Sequence, residues 1–184
     1  MNFFPQSIPD VLLIEPEVHG DSRGYFTESF RQDLLDDFLG YEVNFIQDNE
    51  SKSSKGVLRG LHYQLPPYEQ TKLVRVIEGK VLDVALDIRQ SSPTFGQYVS
   101  TELSSDNHRQ LFIPKGFAHG FVVLSESAVF VYKVDNYYSP DDDRGIAYND
   151  RQIGIDWILK SDELQLSNKD KSHPTLSEAK ELFD

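Results

Sequence analysis

A chain of 184 residues with 39% hydrophobic and 26% charged residues has the size and composition of one globular domain with a sizeable core, residues 1–184. Its formal net charge of −12 argues against broad binding to nucleic acid or to a membrane surface, because phosphate backbones are held by basic patches. The absence of cysteine excludes disulfides, thiolate metal sites and a cysteine nucleophile.

The first residues, Met1 to Gln6, carry neither a basic region nor an apolar run of signal-peptide length. Nor does any stretch approach the roughly 20 apolar residues of a membrane span. A soluble, cytoplasmic protein is expected. Arg31 to Leu39 places Leu34, Leu35, Phe38 and Leu39 on one helical face, and Gly40 follows as a natural C-terminal cap. Leu73 to Ile77 reads as a strand, with Glu78-Gly79-Lys80 as a hairpin turn into the next. In that next strand Leu82, Val84, Leu86 and Ile88 alternate with Asp83, Ala85 and Asp87, the period-2 pattern of a half-buried strand. Further β segments run over Gly96–Leu103, Arg109–Ile113, Gly120–Leu124 and Ala128–Val134, separated by turn-rich breaks. Thr175-Leu176-Ser177-Glu178 has the form of a capping box opening a short helix to Phe183. Short strands at this spacing favour an all-β sandwich or barrel.

Two segments carry the chemistry. Gly56-x5-His62-x-Gln64 with Lys72-x6-Gly79, and Pro114-x-Gly116-x2-His119, follow the cupin-type metal pattern with half of its ligands replaced. Glutamine stands for one histidine and lysine for the carboxylate. Two imidazoles are too few for a secure metal site without other ligands. The substitution points to acid–base chemistry on an anionic organic substrate. On a regular strand Arg59 and His62 face opposite sides, unless the chain bulges near Gly60. A buried Arg59 would need an anionic partner. Tyr132 shares a strand face with Phe130 and Val134, a core pattern in which the phenol is also able to donate a proton. By their own pattern Asp170 reads as part of a polar loop, and Tyr137 and Tyr138 as a surface aromatic pair.

Taken together, Asp21-Ser22-Arg23-Gly24-Tyr25-Phe26-Thr27-Glu28, Gln47-Asp48-Asn49, Leu58-Arg59-Gly60-Leu61-His62-Tyr63-Gln64, Ile113-Pro114-Lys115-Gly116-Phe117-Ala118-His119-Gly120-Phe121 and Tyr132-Lys133-Val134 resemble the dTDP-4-dehydrorhamnose 3,5-epimerases, in order and over nearly the whole chain. The resemblance implies a cupin-type double-stranded β-helix (jelly-roll) barrel with short terminal helices, a homodimer with exchanged strands, and no metal or organic cofactor. It implies His62 as base with Asp170 as its partner, Tyr132 as acid, and Lys72 near the sugar C4 oxygen. Arg23, Glu28, Gln47, Asp48, Asn49, Arg59, His119, Asp143 and Lys169 match substrate-binding positions, and Tyr138 the ring that stacks on thymine. Three alternatives stay open: an epimerase acting at C3 or C5 only, a metal-dependent cupin, and a non-catalytic sugar-binding barrel.

Overall fold

The alternating segments fold into thirteen strands and one helix, described over residues 1–184 by a computed structural model. In chain order they are β1 (Asn2–Pro5), β2 (Leu12–Glu15), β3 (Val18–Asp21), β4 (Gly24–Thr27), α1 (Gln32–Leu39), β5 (Gln47–Ser54), β6 (Leu58–Gln64) and β7 (Lys72–Glu78). They continue with β8 (Lys80–Asp87), β9 (Tyr98–Ser104), β10 (Gln110–Ile113), β11 (Phe117–Val123), β12 (Ser127–Val134) and β13 (Asp143–Gly145). Six strands pair antiparallel in the order β1-β2-β10-β7-β12-β5, and five in the order β13-β6-β11-β8-β9. Strands β3 and β4 form a separate hairpin.

The two large sheets are joined by a core to which both contribute. Val74, Val76, Leu111 and Phe130 from one pack with Val81, Ala85, Phe117 and Phe121 from the other. This is the expected all-β jelly roll of cupin type. A second apolar layer lies under the five-stranded sheet, where Leu82, Val84, Leu86 and Ile88 meet Ile146, Trp157 and the C-terminal segment. A third forms where Leu35 of α1 packs with Leu12, Ile14, Leu73 and Phe112. Helix α1 ends as the sequence predicts: Gly40 is left-handed at φ 76° and its N–H donates to the Asp36 carbonyl at 2.8 Å.

Three local expectations change. Gly79 does not close a hairpin, because β7 and β8 belong to different sheets. It is instead the corner where the chain crosses between them, and a Cβ there would lie 2.0 Å from the Ser127 carbonyl oxygen. Strand β8 is not half-buried: its aspartate face is as buried as its leucine face, since it looks into the barrel. The C-terminal helix does not form. Thr175 and Glu178 make their side-chain contact at 2.6 Å, but Tyr63 takes the Glu181 carbonyl at 2.8 Å and Gln90 the Phe183 carbonyl at 2.7 Å. Those tertiary bonds hold the tail extended along the barrel, and one isolated turn offers too few intrahelical bonds to compete.

Candidate active site

The site begins with an irregularity in β6. Opposite β11, His62 pairs with His119, yet Arg59 pairs with Phe121, so three steps on β6 match two on β11. This bulge turns Arg59 to the same side as His62, and both line one cavity of about 280 Å³ inside the barrel. Glycine is required on both strands. A Cβ at Gly60 would lie 2.5 Å from the Gly120 Cα, and one at Gly120 would lie 2.8 Å from the Arg59 carbonyl oxygen.

His62 Nε2 lies 2.6 Å from Asp170 Oδ1. Asp170 opens a single 3-10 turn, and its other oxygen accepts from Ser167 Oγ at 2.5 Å. Burial alone would raise the Asp170 carboxyl, but the hydrogen bonds from His62 and Ser167 outweigh it and bring it down to about 2. A carboxylate that accepts from Nε2–H leaves the lone pair on Nδ1 of the same ring. The loop aspartate is therefore paired with His62, as the resemblance implies.

Lys72, the first residue of β7, is buried, and its Nζ donates to the His62 carbonyl at 3.4 Å. Burial pushes its ammonium down to about 8, while Asp143 and Asp83 pull the other way. His119 is also buried, with Nε2 2.9 Å from Asp83 Oδ2. Burial lowers its proton affinity, and Asp83 partly offsets this. Tyr132 enters from β12 on the opposite sheet, and burial raises its phenol. Acid and base candidates thus approach the cavity from opposing walls.

Arg59 is exposed, and its guanidinium donates only to Ser53 Oγ, at 3.2 Å through both Nε and Nη2. Because Arg59 is not buried, the need for an anionic partner within the protein does not arise, and no carboxylate pairs with it. Among the other binding candidates, Gln47 donates to Asn49 Oδ1 at 2.8 Å, and Asn49 lines the cavity. Asp48 between them points the other way, since strand neighbours alternate, and holds Lys133 at 2.8 Å in an outer groove. Asp143 links the Tyr138 hydroxyl, 2.9 Å away, with the Lys169 ammonium. Arg23 and Glu28 do not join the cavity: Arg23 pairs with Asp21 on the exposed β3–β4 hairpin and Glu28 faces Arg31.

Two roles escape the sequence reading. Gln64, which stands where a metal ligand would, is buried and donates to the Tyr68 and Tyr137 carbonyls at 2.6 and 3.1 Å while accepting from Ser139 N at 2.9 Å. It braces the loop that presents Tyr138. Asp83, taken as a solvent-facing residue, orients His119; the signal available was two aspartates four apart on one face of an otherwise apolar strand.

An imidazole backed by a carboxylate, a buried lysine and an opposed phenol around one anion-receptive cavity equip a jelly-roll barrel to move protons next to a carbonyl, which is the class of cupin-type sugar-nucleotide epimerases. The comparisons with known proteins agree. The family model described as dTDP-4-dehydrorhamnose 3,5-epimerase matches residues 5–178. The chain is 57% identical to the dTDP-4-dehydrorhamnose 3,5-epimerase of Shigella flexneri, over 92% of this chain and 93% of that one. It is 56% identical to the protein of the same name from Escherichia coli, over 97% and 96%. The crystal structure of a Legionella pneumophila dTDP-6-deoxy-D-glucose-3,5-epimerase in complex with dTDP-4-keto-L-rhamnose superposes with a TM-score of 0.93 at 50% identity, covering 97% of this chain and 94% of that one. The chain belongs to the dTDP-4-dehydrorhamnose 3,5-epimerase family and is an isomerase.

Proposed function

We propose that the chain carries out the reaction its relatives are named for, inverting C3 and C5 of dTDP-4-keto-6-deoxy-D-glucose to give dTDP-4-keto-L-rhamnose for dTDP-L-rhamnose biosynthesis. The observation that carries the reading is the placement of His62 and Tyr132 on opposite walls of one cavity. Both hydrogens to be inverted are α to the C4 ketone. His62 Nδ1 removes one, the electron pair moves onto the C4 oxygen, and the Lys72 ammonium stabilises that enolate. Tyr132 returns a proton to the opposite face of the same carbon, solvent resets both groups, and the cycle repeats at the second carbon. Arg59, left without a carboxylate, receives the diphosphate, whose oxygens fit its donor fork. His119, Gln47, Asn49, Asp143 and Lys169 complete the binding surface, and the exposed Tyr138 ring stacks on the thymine.

In deuterium oxide the product should carry label at both C3 and C5, and turnover should be unchanged after chelator treatment, because His62 and Lys72 supply the base and the positive charge. Label at one carbon would assign a mono-epimerase; loss of activity on chelation would assign a metal-dependent cupin. A cytoplasmic location is part of this proposal, and the lack of cysteine fits that reducing compartment.

The assembly proposed is a homodimer in which each subunit's hairpin completes the other's site. Arg23 and Glu28 sit on or beside a hairpin whose Tyr25 and Phe26 are 64% and 66% exposed. The outer face of β5, β7 and β12 carries a groove of about 460 Å³ that borders Tyr132 and Asn49. The test is subunit complementation. Arg23→Ala and His62→Ala are each expected to be nearly inactive, whereas co-expression should restore about a quarter of wild-type activity, from one intact site in half of the randomly mixed dimers. No recovery would place Arg23 in its own subunit's site.

A further inference from the structure

A third imidazole stands beside the His62–Asp170 pair, and the mechanism above does not use it. The His173 side chain is 8% exposed, and its buried Nε2 has no hydrogen-bond partner. That atom lies 3.8 Å from Asp170 Oδ1, the same oxygen that His62 Nε2 approaches to 2.6 Å. The rings of His62 and His173 meet edge to face, with centroids 5.5 Å apart and planes at 78°. His173 does not line the His62 cavity. It borders a separate pocket of about 310 Å³ with Gly145 and Pro174.

The fold reserves this place. Gly145 is the residue opposite His62 in the β13–β6 register, and a Cβ on it would lie 2.4 Å from His173 Nε2. Any other residue at 145 would push the third ring away from the pair. An unpaired buried ring nitrogen is unfavourable, and Asp170 Oδ1 is within a small displacement of satisfying it.

We propose that His173 is a positioning residue for the proton-transfer pair: it braces the His62 ring and shares Asp170 Oδ1, which weakens that carboxylate's grip on the proton carried by His62. The inference rests on the reading of His62 as the base. Two effects act in the same direction. A neutral His173 whose Nε2–H turns toward Asp170 draws off part of the carboxylate's charge. A cationic His173 would repel an imidazolium at 62 directly.

Burial keeps the His173 ring less basic than usual, and the neighbouring His62 adds to this. Lys169 acts in the same sense, while Asp170 and Asp143 oppose it. Arg144, Glu178 and Glu181 border the outer pocket from β13 and the tail. The neutral ring is the form whose Nε2–H can turn toward Asp170 Oδ1, 3.8 Å away.

The test compares wild type with His173→Phe, which keeps a ring and removes its nitrogens; His173→Gln serves if the Phe variant fails to fold. One readout is the downfield NMR resonance of the proton between His62 and Asp170 at fixed pH. The other is the acid limb of kcat/KM. The expected result is a shifted resonance and an acid limb moved to higher pH by about half a unit, the scale of one weak hydrogen bond lost from the Asp170 carboxylate, with KM little changed. An unmoved resonance, with or without a uniform fall in kcat, overturns the inference and leaves His173 a packing residue. A moved resonance with a fixed acid limb upholds the coupling to the pair and removes His62 as the kinetically important base.

Discussion

Replacing His62 with alanine should lower kcat by at least about a hundredfold, the low end for removing a general base, while dTDP still binds. The groups assigned to the nucleotide and diphosphate, Tyr138 and Arg59, are untouched by the change. The variant should also fold. Asp170 loses the 2.6 Å bond to the imidazole but keeps its bonds from Ser167 Oγ at 2.5 Å and from Gly60 N at 3.3 Å. Stability at low pH reports the change separately. A carboxylate brought from 3.8 down to about 2 in the folded state contributes stability that is present above about pH 3.8 and is lost as the pH falls toward 2. Without His62 that contribution shrinks, so His62→Ala should unfold at a slightly higher pH on acidification. Initial rates and acid titrations followed by circular dichroism measure the two effects. Near-normal turnover with an intact fold would take His62 out of the mechanism and favour a sugar-binding barrel.

Strands β7 to β12 are legible because apolar alternation and turn residues are local signals, whereas β5, polar throughout from Gln47 to Ser54, offers no alternation to read. The same signals do not say which sheet a strand joins, so the corner at Gly79 read as a hairpin. Alternation also presumes that the polar face meets water. In β8 it meets the inside of the barrel, and Asp83 was therefore read as exposed when it is the partner of His119. The Arg59–His62 relation depends on a bulge whose cause is the close approach of Gly60 and Gly120, residues 60 positions apart in the chain. The pairing of Asp170 with His62 spans 108 residues, and no periodicity reaches that far; the resemblance alone indicated it. His173 carried no signal at all, since a histidine before a proline in a polar loop is ordinary until Gly145 is seen to leave room for it.

Lys72→Met should separate activity from stability in opposite directions. Loss of the cation at the enolate oxygen is expected to lower kcat by about 10²- to 10³-fold, the range for removing one oxyanion-stabilising donor. Stability at pH 7 should rise. Lys72 is buried, and its proton affinity falls from 10.5 to about 8 in the folded protein. Below pH 8 both folded and unfolded chains carry the proton, and the folded state bears a penalty of about 3 kcal/mol for doing so. Between about pH 8 and 10.5 the folded chain releases the proton first, the unfolded chain binds more protons, and stability rises until the penalty is gone. Methionine fills similar volume without a charge, so its advantage should be about 2–3 kcal/mol at pH 7 and should vanish near pH 10.5. Urea unfolding at the two pH values measures it. A variant less stable than wild type at pH 7 would mean that ion pairing, and not the reaction, keeps the lysine in place. The expected outcome is the reverse: a charge held inside the barrel at the expense of stability, where a developing enolate needs it.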